Sequence, residues 1–130
     1  MQIEVFALCD AATGDFGKLS MLGAFDTIWT IKTPVVHPQC ALALRIRFER
    51  IERGEHQVAV NFIDMDGKNV IPQAQGSITI NFPDDQRSGS ANLILNIQGL
   101  QLDQFGEYSI DLAVDGQQKA SLPLFVRERK

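Results

Sequence analysis

A chain of 130 residues fits one domain spanning 1–130, large enough to hide roughly two-thirds of its extended surface without disulfides or metal. Its hydrophobic fraction of 45% and charged fraction of 22% exclude a disordered chain, a collagen-like chain and a coiled coil. Twelve basic against sixteen acidic residues leave a net charge of −4, which disfavours nucleic acid as a partner unless a basic face is segregated. Apolar runs reach only about five residues (Val5 to Cys9, Cys40 to Leu44), against the ~18 that a membrane-spanning helix needs. The start, Met1-Gln2-Ile3-Glu4-Val5, shows no basic n-region and no sustained apolar h-region, so an unexported chain is expected. A mature cytoplasmic protein away from membranes is expected, and two cysteines form no disulfide framework.

The hydrophobic period is two. Residues 2–9 read as a first strand and 19–32 as further strand, with Phe25, Thr27, Trp29 and Ile31 alternating against Asp26 and Thr30, a parity that puts Trp29 in the core. Downstream, Leu42, Leu44, Ile46 and Phe48 alternate with Arg45, Arg47 and Glu49. Val58, Val60 and Phe62 follow, then Ile78, Ile80 and Phe82, then Leu93, Leu95 and Ile97. Tyr108 to Val114 and Ala120 to Val126 complete the series, apolar at even positions. Each is a strand with one buried and one wet face. No segment keeps a helical stripe for three turns, and 100–105 is one turn at most. The expected fold is all-β: a single antiparallel β-sandwich, immunoglobulin-like, of eight or nine strands. Ile46, Val60, Leu95, Ile110 and Leu122 are expected in its core.

The turns carry finer signals. Asp66-Gly67 and Asp115-Gly116 mark hairpins. A two-residue loop at 115–116 would set even positions opposite odd ones, so a three-residue loop with Gly116 in a bulge is expected. Pro83 to Ser90 reads as a loop tip, with 84–90 its most mobile part. Tyr108, the only tyrosine, follows Gly106 at a strand start and is either a corner-bridging tyrosine or a plain core aromatic.

No catalytic constellation is visible. His37 and His56 read as surface histidines outside any nucleophile motif. His37-x-x-Cys40 with Cys9-Asp10 offers zinc-type ligands, but a second strand folding straight back on the first would place Cys9 and Cys40 at opposite ends. Gly14 to Leu19 fails as a phosphate loop, and Asp64 to Asn69 lacks the distal ligands of a calcium loop. No cofactor and no metal are therefore assigned. Arg45 and Arg47 share the outer face of one strand about 7 Å apart, beside Glu49, Glu52 and Glu55, which read as their neutralising partners. They also form a candidate site for an acidic partner.

Four segments, Ile3 to Asp10, Gly17 to Asp26, His37 to Cys40 and Gly106 to Asp111, resemble a family of small bacterial proteins, a domain of unknown function. The resemblance covers nearly the whole chain and implies a stand-alone β-sandwich in a bacterial cytoplasm. It transfers no activity, substrate or catalytic residue.

The reading that follows is a non-enzymatic protein-interaction or structural module. The alternative is a small-molecule-binding or enzymatic sandwich with its site in the loops. A carbohydrate-binding module would need Trp29 and phenylalanines exposed. The candidate partner contacts are Phe125, Pro123, Arg45 and Arg47. Pro123 lacks an N–H, which fits a sheet edge, and Phe125 beside it either stands exposed or packs under a neighbouring segment. A protein partner or a weak homodimer is expected there, with no nucleic acid and no membrane.

Overall fold

In the computed structural model, which describes Met1–Lys130, the period-two segments become nine strands. They are β1 (Gln2–Thr13), β2 (Ser20–Ala24), β3 (Thr27–Thr30), β4 (Val35–Glu49), β5 (Gly54–Ile63), β6 (Ala74–Ile80), β7 (Ser88–Leu102), β8 (Gly106–Val114) and β9 (Gln117–Glu128). Two 3-10 turns, Asp15–Gly17 and Arg50–Glu52, are the only helical pieces. No helix is long and apolar enough to cross a membrane. The expected one-turn helix at 100–105 is instead the end of β7 and a turn.

The strands form two packed sheets, a β-sandwich. One has the order β2-β1-β4-β7, the other β3-β9-β8-β5-β6. All pairings are antiparallel except β3 with β9, which run parallel from Thr27 opposite Phe125 to Thr30 opposite Glu128. Even-numbered residues of β4, β5, β8 and β9 meet between the sheets, and Ile46, Phe48, Ile110, Leu112 and Leu124 are wholly buried there. Val60 is buried as expected, whereas Leu95 and Leu122 are only half-buried because each faces an opening at one side of the sandwich.

Those sides differ. Along one, the chain leaves β2 in the first sheet and enters β3 in the second, so a single segment borders both sheets. Gly23, at φ +67, lies in β2 just before this crossing, and a Cβ there would run into the Asp10 carboxylate. Backbone bonds fix the crossing, from Phe25 N–H to Leu8 O and from Phe125 N–H to Asp26 O. Along the other side, β6 and β7 end their sheets with no strand between them.

The last hairpin corrects the expected loop. Asp115 (φ 53) and Gly116 (φ 80) form a two-residue turn that pairs Val114 with Gln117. Two left-handed residues match the right-handed twist of the flanking strands. Parity is restored one step further in, where Leu112 faces Ala120 but Ala113 faces Gln118, leaving Lys119 as the extra residue. The bulge exists, displaced from the turn. At Asp66-Gly67 only one bridge forms, Ile63 with Asn69, and Asp64 Oδ1 accepts the N–H groups of Asp66 and Lys68. Tyr108 bridges its corner: its hydroxyl donates to Gln104 O at 2.8 Å and accepts from Gln104 N–H at 3.1 Å. The loop expected over 83–90 stops at Arg87, because β7 begins at Ser88. Asp84 is tied down by Arg50 and Arg53.

Candidate interaction surfaces

The two cysteines are close, contrary to the opposite-ends expectation. β1 pairs with β4 rather than folding directly against β2 alone, so Cys9 lies opposite Ala41, next to Cys40. They point to opposite faces: Cys40 joins the main core, and Cys9 packs with Ala41 and Ala43 on the outer face. Both are free thiols, and burial pushes Cys40 up to about 11.

Arg45 and Arg47 are neutralised, but not by the expected glutamates. Glu4 is the extra residue of a β1 bulge between Ile3 and Val5. Its two carboxylate oxygens take Arg45 Nε at 2.9 Å and Arg47 Nε at 2.8 Å. The Arg47 hydrogen bond is the chief cause that holds Glu4 below its usual range, and the Arg45 bond adds to it. Arg45 also donates to Asn92 Oδ1, and Arg47 to Ser88 Oγ. Glu52, meanwhile, meets the Met1 ammonium at 2.8 Å and accepts from Glu49 N–H. Residue 4 shares parity with Leu8, so only the bulge could have revealed Glu4 as the partner.

His56 is not a surface histidine. Its ring stacks on Phe48 at 4.7 Å, Nδ1 lies 2.7 Å from Asp115 Oδ2, and Nε2 meets Glu52 O. Both partners are acceptors, so the arrangement favours imidazolium, and the Asp115 bond raises the His56 pKa. With both nitrogens engaged, no lone pair faces a substrate. His37 is half-buried beside Phe25, ring centroids 5.3 Å apart. On the outer face of β8 and β9, Ser109 and Ser121 both donate to Asp111 Oδ1 at 2.6 Å, a cross-strand network without a histidine among its contacts.

Phe125 and Pro123 lie on the outer side of β9, in the other sheet from Arg45 and Arg47, so the four candidate contacts do not converge. β9 is not the sheet edge, since β3 flanks it. That cover begins only at Phe125, and Pro123 sits where the β3 side of β9 has no partner. Phe125 is half-buried, with the Arg127 guanidinium 4.6 Å from its ring centroid.

The sequence missed the neighbour that completes this surface. Trp29 is 60% exposed, and Ile28 takes the core position. The crossing at Phe25 and Asp26 breaks the alternation, so Phe25 and Trp29 no longer share a face. Trp29 pairs with Arg127 and Thr27 with Phe125, which sets Trp29, Phe125 and Arg127 on one outward face beside the β3 edge. Ile31 is exposed next to them. Arg129 donates its backbone N–H to Thr30 O, and Arg129, Lys130 and Glu128 border a shallow recess against Trp29. Arg127, Arg129 and Lys130 make no salt bridge.

On the opposite side, a cleft of about 190 Å³ opens between β6 and β7. Leu42, Leu44, Val58, Val60, Leu93 and Leu95 form its walls, and no charged residue lines it. At one loop end, Asp64, Asp66, Lys68 and Asp103 border a polar recess, where Asp64 already serves its own turn.

No curated protein and no solved structure matches the chain. Residues 4–127 match the family of unknown function DUF6941, and the chain belongs to that family.

Proposed function

We infer that this immunoglobulin-like sandwich is a non-enzymatic protein-interaction module of the cytoplasm that docks an acidic partner on the Trp29 face. The supporting observation is the outward grouping of Trp29, Phe125 and Arg127 beside a short open edge. Trp, Arg and aromatic residues are the types that dominate interface energetics. Three cations without salt bridges, Arg127, Arg129 and Lys130, outnumber the neighbouring Glu107 and Glu128 there, so charge complementarity selects an acidic segment with apolar side chains. His56, the histidine held by a carboxylate, has both ring nitrogens engaged, which supports a binding role over catalysis at that position.

Trp29 is the only tryptophan, so its fluorescence reports this face alone. A synthetic peptide alternating Glu with Leu and Phe should shift Trp29 emission saturably. Raising salt from about 50 to about 300 mM should weaken that binding several-fold. Arg127→Glu with Arg129→Glu should abolish it. No emission change, or an equal response to a Lys-for-Glu peptide, would overturn the reading.

A further inference from the structure

We propose that the open side between β6 and β7 is covered by a second copy of this chain, with β7 pairing antiparallel to β7 of that copy across a two-fold axis. The surface is opposite the Trp29 face and independent of it.

Four strands end the two sheets. β2 spans Ser20–Ala24, β3 spans Thr27–Thr30 and β6 spans Ala74–Ile80, all short. β7 is the long one, and Ser88–Gln98 pairs with β4 on one side in unbroken register while the other side is unpaired. Open edges are ordinarily blunted by charge, proline, bulges or shortness. Ser88–Gln98 contains no charged residue and no proline. Its first break is Gly99, at φ +64, beyond that stretch. Behind the unpaired edge, Leu93, Leu95 and Ile78 are half-buried around the apolar cleft. The edge asks for backbone partners, and the cleft asks for apolar side chains.

A second copy supplies both. Identical strands pair antiparallel about a two-fold with the same patch on each side. The absence of charge means that the axis sets no like charges opposite one another. Parity is preserved, so Leu93 and Leu95 face the inner face of the joined sheet, over the cleft, while Asn92 and Asn96 lie on the outer one. A hydrocarbon ligand would fill the cleft but leave the backbone edge unpaired.

Sedimentation equilibrium of the whole chain from about 1 to about 200 μM should show the mass rising from 14.4 kDa towards twice that value. Over the same range, alternate amides of Ser88–Gln98 should gain hydrogen-exchange protection, a readout that needs no variant. Asn96→Lys, at an exposed outer position, should weaken association by about tenfold or more while leaving the thermal transition in place. A monomer throughout, with those amides exchanging freely, overturns the proposal. So does a dimer that Asn96→Lys leaves intact and Trp29→Ala dissociates. A monomer whose cleft binds decane, with the β7 amides still unprotected, overturns it in favour of a hydrocarbon site.

Discussion

The two sides of the sandwich solve the same problem in different ways. On the β2/β3 side, one stretch of chain pairs with β1 in one sheet and β9 in the other, and Phe25 lines a recess there with Phe6, Leu8, Leu122 and Pro123. On the β6/β7 side the sheets end at unconnected strands, and leucines that alternation assigns to the core border an opening. The same period-two pattern thus leaves a recess bridged by backbone where a segment crosses between the sheets and an unbridged apolar cleft where none does. Half-buried leucines border both openings, Leu122 at the first and Leu93 and Leu95 at the second, and only the second lacks a connecting segment.

Core substitutions should break the symmetry of the two sides most strongly. Leu124 is wholly buried on β9, close to the stitched side, and Leu124→Ala should cost about 2–5 kcal/mol by urea denaturation. Leu95→Ala at the open side should cost less than half of that in the monomer, because its side chain already loses packing partners to the cleft. Equal losses at both positions would mean that the cleft is closed in solution.

The stitch itself depends on Gly23. Gly23→Ala forces a side chain into left-handed backbone and against the Asp10 carboxylate, and should cost about 1–3 kcal/mol. Amide exchange should rise in β3 and at its β9 partners while β6 and β7 stay unchanged. Uniform exchange across both sides would show that the crossing is not a separate unit.

The smallest effect tests a contact that belongs to neither side. His56 and Asp115 join the Arg50–Glu52 turn to the last hairpin. The His56 pKa is raised, so its contribution is fully present below its unfolded value of about 6.5 and fades as pH rises through the folded value. The Asp115 pKa is lowered, chiefly by its bond to His56, so its contribution is present above the unfolded value and fades at acid pH. The thermal midpoint should therefore be highest in mildly acid solution and decline towards pH 8. His56→Gln should flatten the decline, and an unchanged profile in that variant would assign the pH dependence elsewhere.

Much of the architecture was legible because alternation is local. Leu42 to Phe48, Val58 to Phe62 and Tyr108 to Val114 each announce a strand and its buried face without knowledge of their neighbours. The Tyr108 corner was legible for the same reason, since its hydroxyl reaches only four residues back. The candidate surface was half legible. Pro123 and Phe125 marked the outer side of β9, but Trp29 was assigned to the wrong face because the strand changes sheets at Asp26. Glu4 was missed as the partner of Arg45 and Arg47 because a single extra residue in β1 turns it outward.

By itself, the sequence determined eight alternating segments, with 19–32 as one stretch, their buried faces in the central strands and the absence of any long helix, because each depends on side-chain periodicity and turn chemistry within a few residues. The tertiary structure alone decided which strands end the sheets, the parallel pairing of β3 with β9, the diagonal neighbourhood of Cys9 and Cys40 and the exposure of Trp29. Those features arise from contacts between residues tens of positions apart. Pairing order in a sheet is set by the collective closure of the core, and no local pattern encodes it.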